Sequence, residues 1–147
     1  MTIYRLSEYR FYGTDPSDGE RVEERRILGY FSDRSKLAEA LLACRRCGIG
    51  EEETAVEEFS VPLRRGRRFL YELSYEFSLR RGENVEDFYD IFGPQKSRWQ
   101  CLRLKRRLQR SHPRFRSAEG KEYSQSYDGF WIERYETDKL YPVLDRK

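Results

Sequence analysis

Two aromatic-rich stretches decide the fold of this chain: YRLSEY at residues 4–9 and YELSYEF at residues 71–77. Both contain the pattern Tyr-x-Leu-Ser. Both also lie in runs whose residues alternate between apolar and polar, which is typical of a β-strand with one buried face. Because the pattern recurs in the two halves of a 147-residue chain, we predict that the chain contains two copies of one structural unit.

The flanking sequence predicts the same order of elements in both halves. In the first half the segments are a strand at 3–12, a turn at 13–20 (GTDPSDGE), a strand at 21–31, a helix over 33–47 and a strand at 54–63. In the second half they are a strand at 67–79, a turn at 80–83 (RRGE), a strand at 84–92, a helix from Gly93-Pro94 to Ser111 and a strand at 128–140.

The predicted helix ends depend on a few residues. Ser32 or Asp33 is expected to cap the first helix, and Pro94 is expected to open the second, because the first turn leaves N–H groups unpaired anyway. Gly48 and Gly50 are expected to end the first helix by adopting left-handed backbone angles. One face of this helix is apolar and is expected to pack on the sheet: Leu37, Ala40, Leu41 and Cys44.

Further matches in the same order support a duplication. They are Gly19-Glu20-x-Val22-Glu23-Glu24 with Gly82-Glu83-x-Val85-Glu86-Asp87, Phe31 with Phe92, Arg45-Arg46 with Arg106-Arg107, and Val56–Phe59 with Ile132–Tyr135. We predict an α+β fold of two tandem β-β-α-β units, residues 1–66 and 67–147, forming one compact domain. About six mostly antiparallel strands and two helices are expected. The alternative is two unrelated stretches that look alike by composition.

Two motifs resemble those of a family of small, uncharacterised bacterial β-β-α-β domains. In that family a strand ends in Gly-x-Phe-Ser, a helix follows, and the last strand reads Gly-Phe-x-Ile-x-x-Tyr-x-x-Asp. Here the motifs are Gly29-Tyr30-Phe31-Ser32 and the segment from Gly129 to Asp138. The resemblance implies binding rather than catalysis, as in bacterial toxin-immunity and other accessory proteins.

The composition indicates a folded domain with a charged surface, since 37% of residues are charged but 15% are aromatic. The net charge of +3 is uneven: residues 1–66 hold 11 Lys/Arg and 13 Asp/Glu, whereas residues 67–147 hold 18 and 13. This asymmetry fits an acidic partner for the second half or head-to-tail contact between molecules, and two solvated faces are the simpler interpretation. No membrane-spanning run or secretion segment is visible, and three cysteines do not suggest a disulfide framework. We therefore expect a cytoplasmic protein.

The strongest surface signal is residues 96–116, which contain nine Lys/Arg and no acidic residue. Helical spacing places Cys101, Leu104 and Leu108 towards the sheet. The opposite side and the following segment, a long predicted loop at 112–126, supply the predicted partner-binding residues: Trp99, Arg103, Arg106, Arg107, Arg110, Arg114 and Arg116. An acidic protein surface fits this pattern, and so does nucleic acid. A solvated face without function is the third interpretation.

No catalytic constellation is visible. The single histidine, His112, precedes Pro113 at a helix end, which suggests a loop role. Judged by residue type alone, a zinc site of three cysteines and one histidine can be assembled from Cys44, Cys47, Cys101 and His112. Burial of Cys44 and Cys101 as small apolar residues is the simpler interpretation. Five glutamates are expected to lie in a solvated loop: Glu51, Glu52, Glu53, Glu57 and Glu58.

The sequence therefore predicts a non-enzymatic binding protein that has no cofactor or metal and that docks an acidic protein partner. Nucleic-acid binding through the basic side of the second helix is the alternative. Exposed sheet edges also allow two copies of the chain to pair by strand addition.

Overall fold

A computed structural model of the chain describes residues 1–14, 16, 19, 21–64, 66, 68–116, 121–123 and 128–141. These residues form two α-helices and seven β-strands, so the predicted α+β class is confirmed, with one short strand more than expected. The chain divides into two units. Unit 1 comprises Met1–Arg68 and the segment from Glu136 onward, and unit 2 comprises Phe69–Tyr135.

Unit 1 is an antiparallel sheet with one helix on it. Its elements are β1 (Thr2–Thr14), β2 (Arg21–Phe31), α1 (Arg34–Arg46) and β3 (Thr54–Ser60). The long strand β1 lies in the middle, in the order β2-β1-β3, and pairs Tyr4 with Phe31 and Leu6 with Val56.

The core of unit 1 lies between α1 and the sheet. The predicted apolar side of α1 is buried at Leu37, Ala40 and Cys44, while Leu41 is partly buried against the same cluster. These side chains pack on Tyr4, Leu6, Leu28, Phe31 and Ile49. Each large apolar side chain removed from water contributes about 2 kcal/mol, so this face holds the helix in place.

The ends of α1 match the sequence prediction except at Gly50. Asp33 caps the helix, because its Oδ1 accepts the Ser35 N–H at 2.6 Å. Gly48 adopts φ +86° just after the helix, as expected of a terminating glycine. The left-handed prediction for Gly50 is wrong, since its φ is −70° and it begins a short 3₁₀ helix, Glu51–Glu53. Its N–H donates to Glu53 Oε1 at 3.0 Å, which requires this extended geometry.

The prediction of a solvated glutamate loop is also wrong in part. Glu51, Glu52 and Glu53 form the 3₁₀ helix, but Glu57 and Glu58 lie in β3. The Glu57 carboxylate accepts from Arg5 Nη2 on the adjacent strand β1 at 3.1 Å and also from Arg25 on β2, which lies on the far side of β1.

The segment 137–141 lies along β2. Thr137 forms a bridge with Tyr30, the Asp138 N–H donates to Tyr30 O at 2.7 Å, and the Tyr141 N–H donates to Leu28 O at 2.7 Å. The predicted second unit, residues 67–147, includes this segment, whereas the structure assigns it to unit 1. We call residues 137–141 the strap.

Unit 2 is built around the long strand β4. Its elements are β4 (Phe69–Arg81), β5 (Asn84–Ile91), α2 (Arg98–Ser111), β6 (Lys121–Tyr123) and β7 (Phe130–Glu136), of which Glu136 falls in unit 1. β4 pairs antiparallel with β5 and β6 and also pairs with β7. The core between α2 and the sheet contains Leu73, Phe77, Cys101, Phe115 and Phe130.

The predicted start of α2 at Gly93-Pro94 is wrong, because α2 begins at Arg98. The backbone of Gln95 is already paired with β4: its N–H donates to Tyr71 O at 2.7 Å, and the Tyr71 N–H donates to Gln95 O at 2.9 Å. A residue held in this way cannot join a helix. The cap is Ser97, whose Oγ accepts the Gln100 N–H at 3.2 Å.

The predicted loop at 112–126 contains more structure than expected. A 3₁₀ helix, Pro113–Phe115, buries Phe115 in the core, and β6 follows. His112 links α2 to this turn, because its Nδ1 accepts the Arg114 N–H at 3.1 Å. Residues 117–120 and 124–127 of this segment lie outside the described residues, as do positions 15, 17, 18 and 20 of the first predicted turn.

The helices of the two units correspond with an offset that differs from the sequence match. Their caps, Asp33 and Ser97, are 64 residues apart. This offset maps Leu37, Ala40 and Cys44 onto the three inward residues of α2, Cys101, Leu104 and Leu108. Matching Arg45-Arg46 with Arg106-Arg107 uses an offset that is three residues shorter.

Candidate functional site

The five residues predicted to share one side of α2 do so in the structure. We call Trp99, Arg103, Arg106, Arg107 and Arg110 the basic face; together they line a shallow depression of about 280 Å³. The opposite side of the helix is held against the sheet by Cys101, Leu104 and Leu108. All five side chains of the basic face are therefore exposed, and Trp99 is 57% accessible to solvent.

A second depression of about 310 Å³ adjoins the first. It shares Arg103 and Arg107 with the basic face and is completed by Gln95, Gln100 and Leu104. Gln95 and Gln100 are not among the contact residues predicted from the sequence. Gln100 has a visible signal, since Ser97-x-x-Gln100 is a capping pattern. Its Oε1 accepts the Lys96 N–H at 3.2 Å, which fixes the side chain beside Arg103.

The charges of the basic face are not neutralised within the described part of the chain. The guanidinium groups of these four arginines form no hydrogen bond or ion pair with a group that the structure describes: Arg103, Arg106, Arg107 and Arg110. Lys105 differs, because it pairs with Asp128 and lies 5.6 Å from the Phe130 ring centroid. Like charges three and four residues apart repel one another on a helix. An anionic partner would relieve that repulsion.

Arg106 is placed over the exposed tryptophan. Its guanidinium carbon lies 5.5 Å from the Trp99 ring centroid, within the range of a cation–π contact. The guanidinium therefore covers one face of the indole, while the remainder of the ring stays accessible.

The two remaining predicted contact residues have different environments. Arg114 is half-buried, and its guanidinium lies 4.6 Å from the Phe88 ring centroid and 4.7 Å from that of Phe115. Arg116 is exposed and donates to Gln109 O at 3.2 Å. Arg114 therefore packs on the aromatic core, whereas Arg116 extends the positive surface beyond the end of α2.

The residues of the candidate zinc site lie in separate environments. Cys44 belongs to the core of unit 1, where burial raises the pKa of its thiol. Cys101 belongs to the core of unit 2, where burial and then the charge of Glu72 raise the pKa of its thiol to about 11. His112 forms the turn described above. Among the described residues no group of three or more His, Cys, Asp or Glu is arranged to hold a metal ion.

In the part of the chain that the structure describes, neither helix has the length and apolar character needed to span a membrane. Comparison with known proteins finds no match to this chain among family models, curated proteins or solved structures. The function of the chain is therefore inferred from the chemistry of the basic face.

Proposed function

We propose that this chain is a non-enzymatic binding protein whose basic face docks an acidic surface of a protein partner. The observation that carries the proposal is the set of four exposed arginines beside an exposed tryptophan, none of them paired with an acid in the described residues. The positive charge would guide the encounter, and the tryptophan would supply apolar contact area.

The residue types suit an interface anchor. Arginine binds carboxylates through two parallel N–H···O bonds, which lysine cannot do. Tryptophan and arginine are also the residues most enriched among interface positions that dominate affinity. Truncation of such a residue typically weakens binding by about 2 kcal/mol or more. Trp99 and Arg103 are the strongest candidates, because each lines a depression that an acidic side chain can enter.

Two observations favour a protein partner over nucleic acid. Arg106 lies over one face of Trp99, so a base that stacked on that face would have to displace the guanidinium. The whole chain has a pI near 8.8 and a net charge of only +3, whereas nucleic-acid-binding domains are typically more basic.

The biological setting proposed for this binding is the bacterial cytoplasm, in a toxin-immunity or other accessory role. The resemblance of the two motifs supports this role. The three cysteines Cys44, Cys47 and Cys101 are all free, which suits a reducing compartment. We also propose that the two units arose by duplication. In each unit the first strand is central and pairs with the second and the last strand, and this arrangement supports that origin together with the common offset of caps and buried helix residues.

The proposal is tested with Trp99 as the reporter. The chain has two tryptophans, and the substitution Trp131→Phe leaves Trp99 as the single fluorescent tryptophan. The fluorescence of this protein is titrated with poly-glutamate and, separately, with a single-stranded oligonucleotide at the same ionic strength. We expect saturable binding of poly-glutamate, weakened about tenfold or more by Arg103→Glu with Arg107→Glu, because each reversal replaces an attraction by a repulsion.

The matched control reverses Arg46 and Arg64, which are exposed residues of unit 1. It changes the net charge by the same amount, so its affinity should remain within about twofold of the parent if the site is local. Equal loss in both double variants would show non-specific charge attraction and contradict the proposal. Tight oligonucleotide binding without poly-glutamate binding would support nucleic acid instead.

A further inference from the structure

The β4–β5 hairpin carries a second exposed surface on the side of the sheet that faces away from α2. Successive strand residues point to opposite faces. Since Phe77 and Phe88 pack in the α2 core, their neighbours Glu76, Asp87 and Tyr89 lie on the other face. Glu76 is directly opposite Tyr89 in the antiparallel pairing, and Ser78 is opposite Asp87.

This surface combines acidic and apolar groups. Val85 is 51% exposed and Tyr89 is 53% exposed, so two large apolar side chains of β5 are accessible to solvent. We call Glu76, Val85, Asp87 and Tyr89 the acidic face. Glu83, in the turn of the hairpin, adds a third exposed acid, whereas Glu86 and Asp90 lie on the same side of the sheet as Phe88. Arg80, opposite Val85, is the one basic side chain that the structure describes on this hairpin.

We propose that the acidic face of one molecule binds the basic face of a second copy of the same chain. This inference rests on the proposed function and names its partner. The two surfaces are complementary in charge, and each also contains exposed aromatic area, Trp99 on one and Tyr89 on the other. An apolar centre surrounded by charged groups is the usual composition of a protein–protein interface.

The spacing of the charges supports the match. Arg103 and Arg107 are one helical turn apart, about 5–6 Å along the axis. Glu76 and Asp87 are diagonal neighbours across paired strands, about 7–8 Å apart. Two flexible arginine side chains can therefore each reach one carboxylate while Trp99 covers Val85 or Tyr89.

The placement of the two faces predicts the type of association. Because they lie on opposite sides of the unit 2 sheet, contact between two molecules uses a different surface on each, which produces head-to-tail assembly. Pairing of two β5 strands is disfavoured, since it would bring Glu86, Asp87 and Asp90 of the two copies together.

A charge-swap experiment tests this inference by sedimentation velocity over a range of protein concentrations. One variant carries Arg103→Glu with Arg107→Glu on the basic face. The other carries Glu76→Lys with Asp87→Lys on the acidic face. Wild type should associate at about 0.1 M salt and dissociate at about 1 M salt, where charges are screened within about 3 Å. Each variant alone should remain monomeric, while an equimolar mixture should associate again.

Restored association in the mixture requires both faces to meet, because each variant supplies the charge that the other lacks. Circular dichroism confirms that both variants are folded. A wild type that stays monomeric at about 0.1 M salt would overturn the inference, and so would a basic-face variant that associates as wild type does. Poly-glutamate binding by a monomeric wild type would leave the proposed function intact, so failure of one idea is distinguishable from failure of the other.

Discussion

Ser32 and Asp138, 106 positions apart in sequence, form a two-bond contact that ties the strap to unit 1. The Ser32 N–H donates to Asp138 Oδ1 at 2.8 Å, and the Ser32 hydroxyl donates to Oδ2 at 2.7 Å. Asp138 adopts φ +60°, the one left-handed non-glycine residue in the described part of the chain. This conformation is uncommon for a residue with a side chain, and the two hydrogen bonds hold it.

The first prediction concerns this contact. Asp138→Ala removes both acceptors and should lower the free energy of unfolding by about 2 kcal/mol, because Ser32 loses bonds to a charged group. Asp138→Asn tolerates the left-handed angle and retains one acceptor, so a smaller loss is expected. Urea denaturation measures both variants. A double-mutant cycle with Ser32→Ala should show a coupling of about 1 kcal/mol, and purely additive losses would refute the contact.

The second prediction concerns the approach of the strap to β2. A Cβ added at Gly29 would lie 2.4 Å from Lys139 O and 3.0 Å from the Phe31 ring. Gly29→Ala should therefore push the strap away and lower the free energy of unfolding by about 2 kcal/mol. Gly50→Ala is the matched control, because its Cβ meets only the movable carboxylate of Glu52. Equal stability of the two variants in thermal denaturation would show that the strap does not constrain Gly29.

The third prediction concerns the cap that orients α2. Ser97→Ala removes the acceptor for the Gln100 N–H and should lower stability by about 1 kcal/mol. Ser97→Asp keeps an acceptor and adds a negative charge at the positive end of the helix, so stability should be retained. Hydrogen exchange at the first turn of α2 measures the local effect. Unchanged exchange in Ser97→Ala would contradict the capping role.

The fourth prediction concerns the buried thiol of Cys101. Its folded pKa is raised to about 11 from the usual 9.0, chiefly by burial. Below pH 9 the thiol is protonated in both states and contributes no pH dependence. Between about pH 9 and 11 only the unfolded state ionises, so stability should fall with rising pH, by as much as about 2 kcal/mol.

Cys101→Ala provides the comparison for this pH dependence. The variant loses packing at every pH, but it has no thiol to titrate at this position. The stability difference between wild type and variant, measured by urea denaturation, should therefore shrink as the pH rises from about 8 to about 11. A constant difference over this range would show that the folded thiol ionises as readily as the unfolded one.

Sequence reasoning succeeded where local pattern and burial coincide. The segment RVEERRILGYF predicts β2 with its observed bounds, Arg21–Phe31, and its apolar residues Ile27, Leu28, Tyr30 and Phe31 are buried. Helical spacing likewise separated Cys101, Leu104 and Leu108 from the basic face. A residue's side on a helix or strand follows from backbone geometry alone, so periodicity is sufficient to predict it.

Sequence reasoning failed where contacts with residues distant in sequence override a local signal. Pro94 is a valid local signal for a helix start, but Gln95 pairs with Tyr71 and delays the helix to Arg98. Arg114 belongs by composition to the basic segment, yet two aromatic rings hold its side chain. Neither outcome is visible in a local window of sequence.

The sequence by itself thus determined the fold class, the positions of most strands and helices, and the side of α2 that carries its arginines, since these depend on the regular repeat of the backbone. Tertiary structure alone decided where α2 begins, which of the cations are neutralised, and that the strap joins unit 1 through Ser32 and Asp138. Those outcomes require hydrogen bonds and charge pairs between residues that only folding brings together.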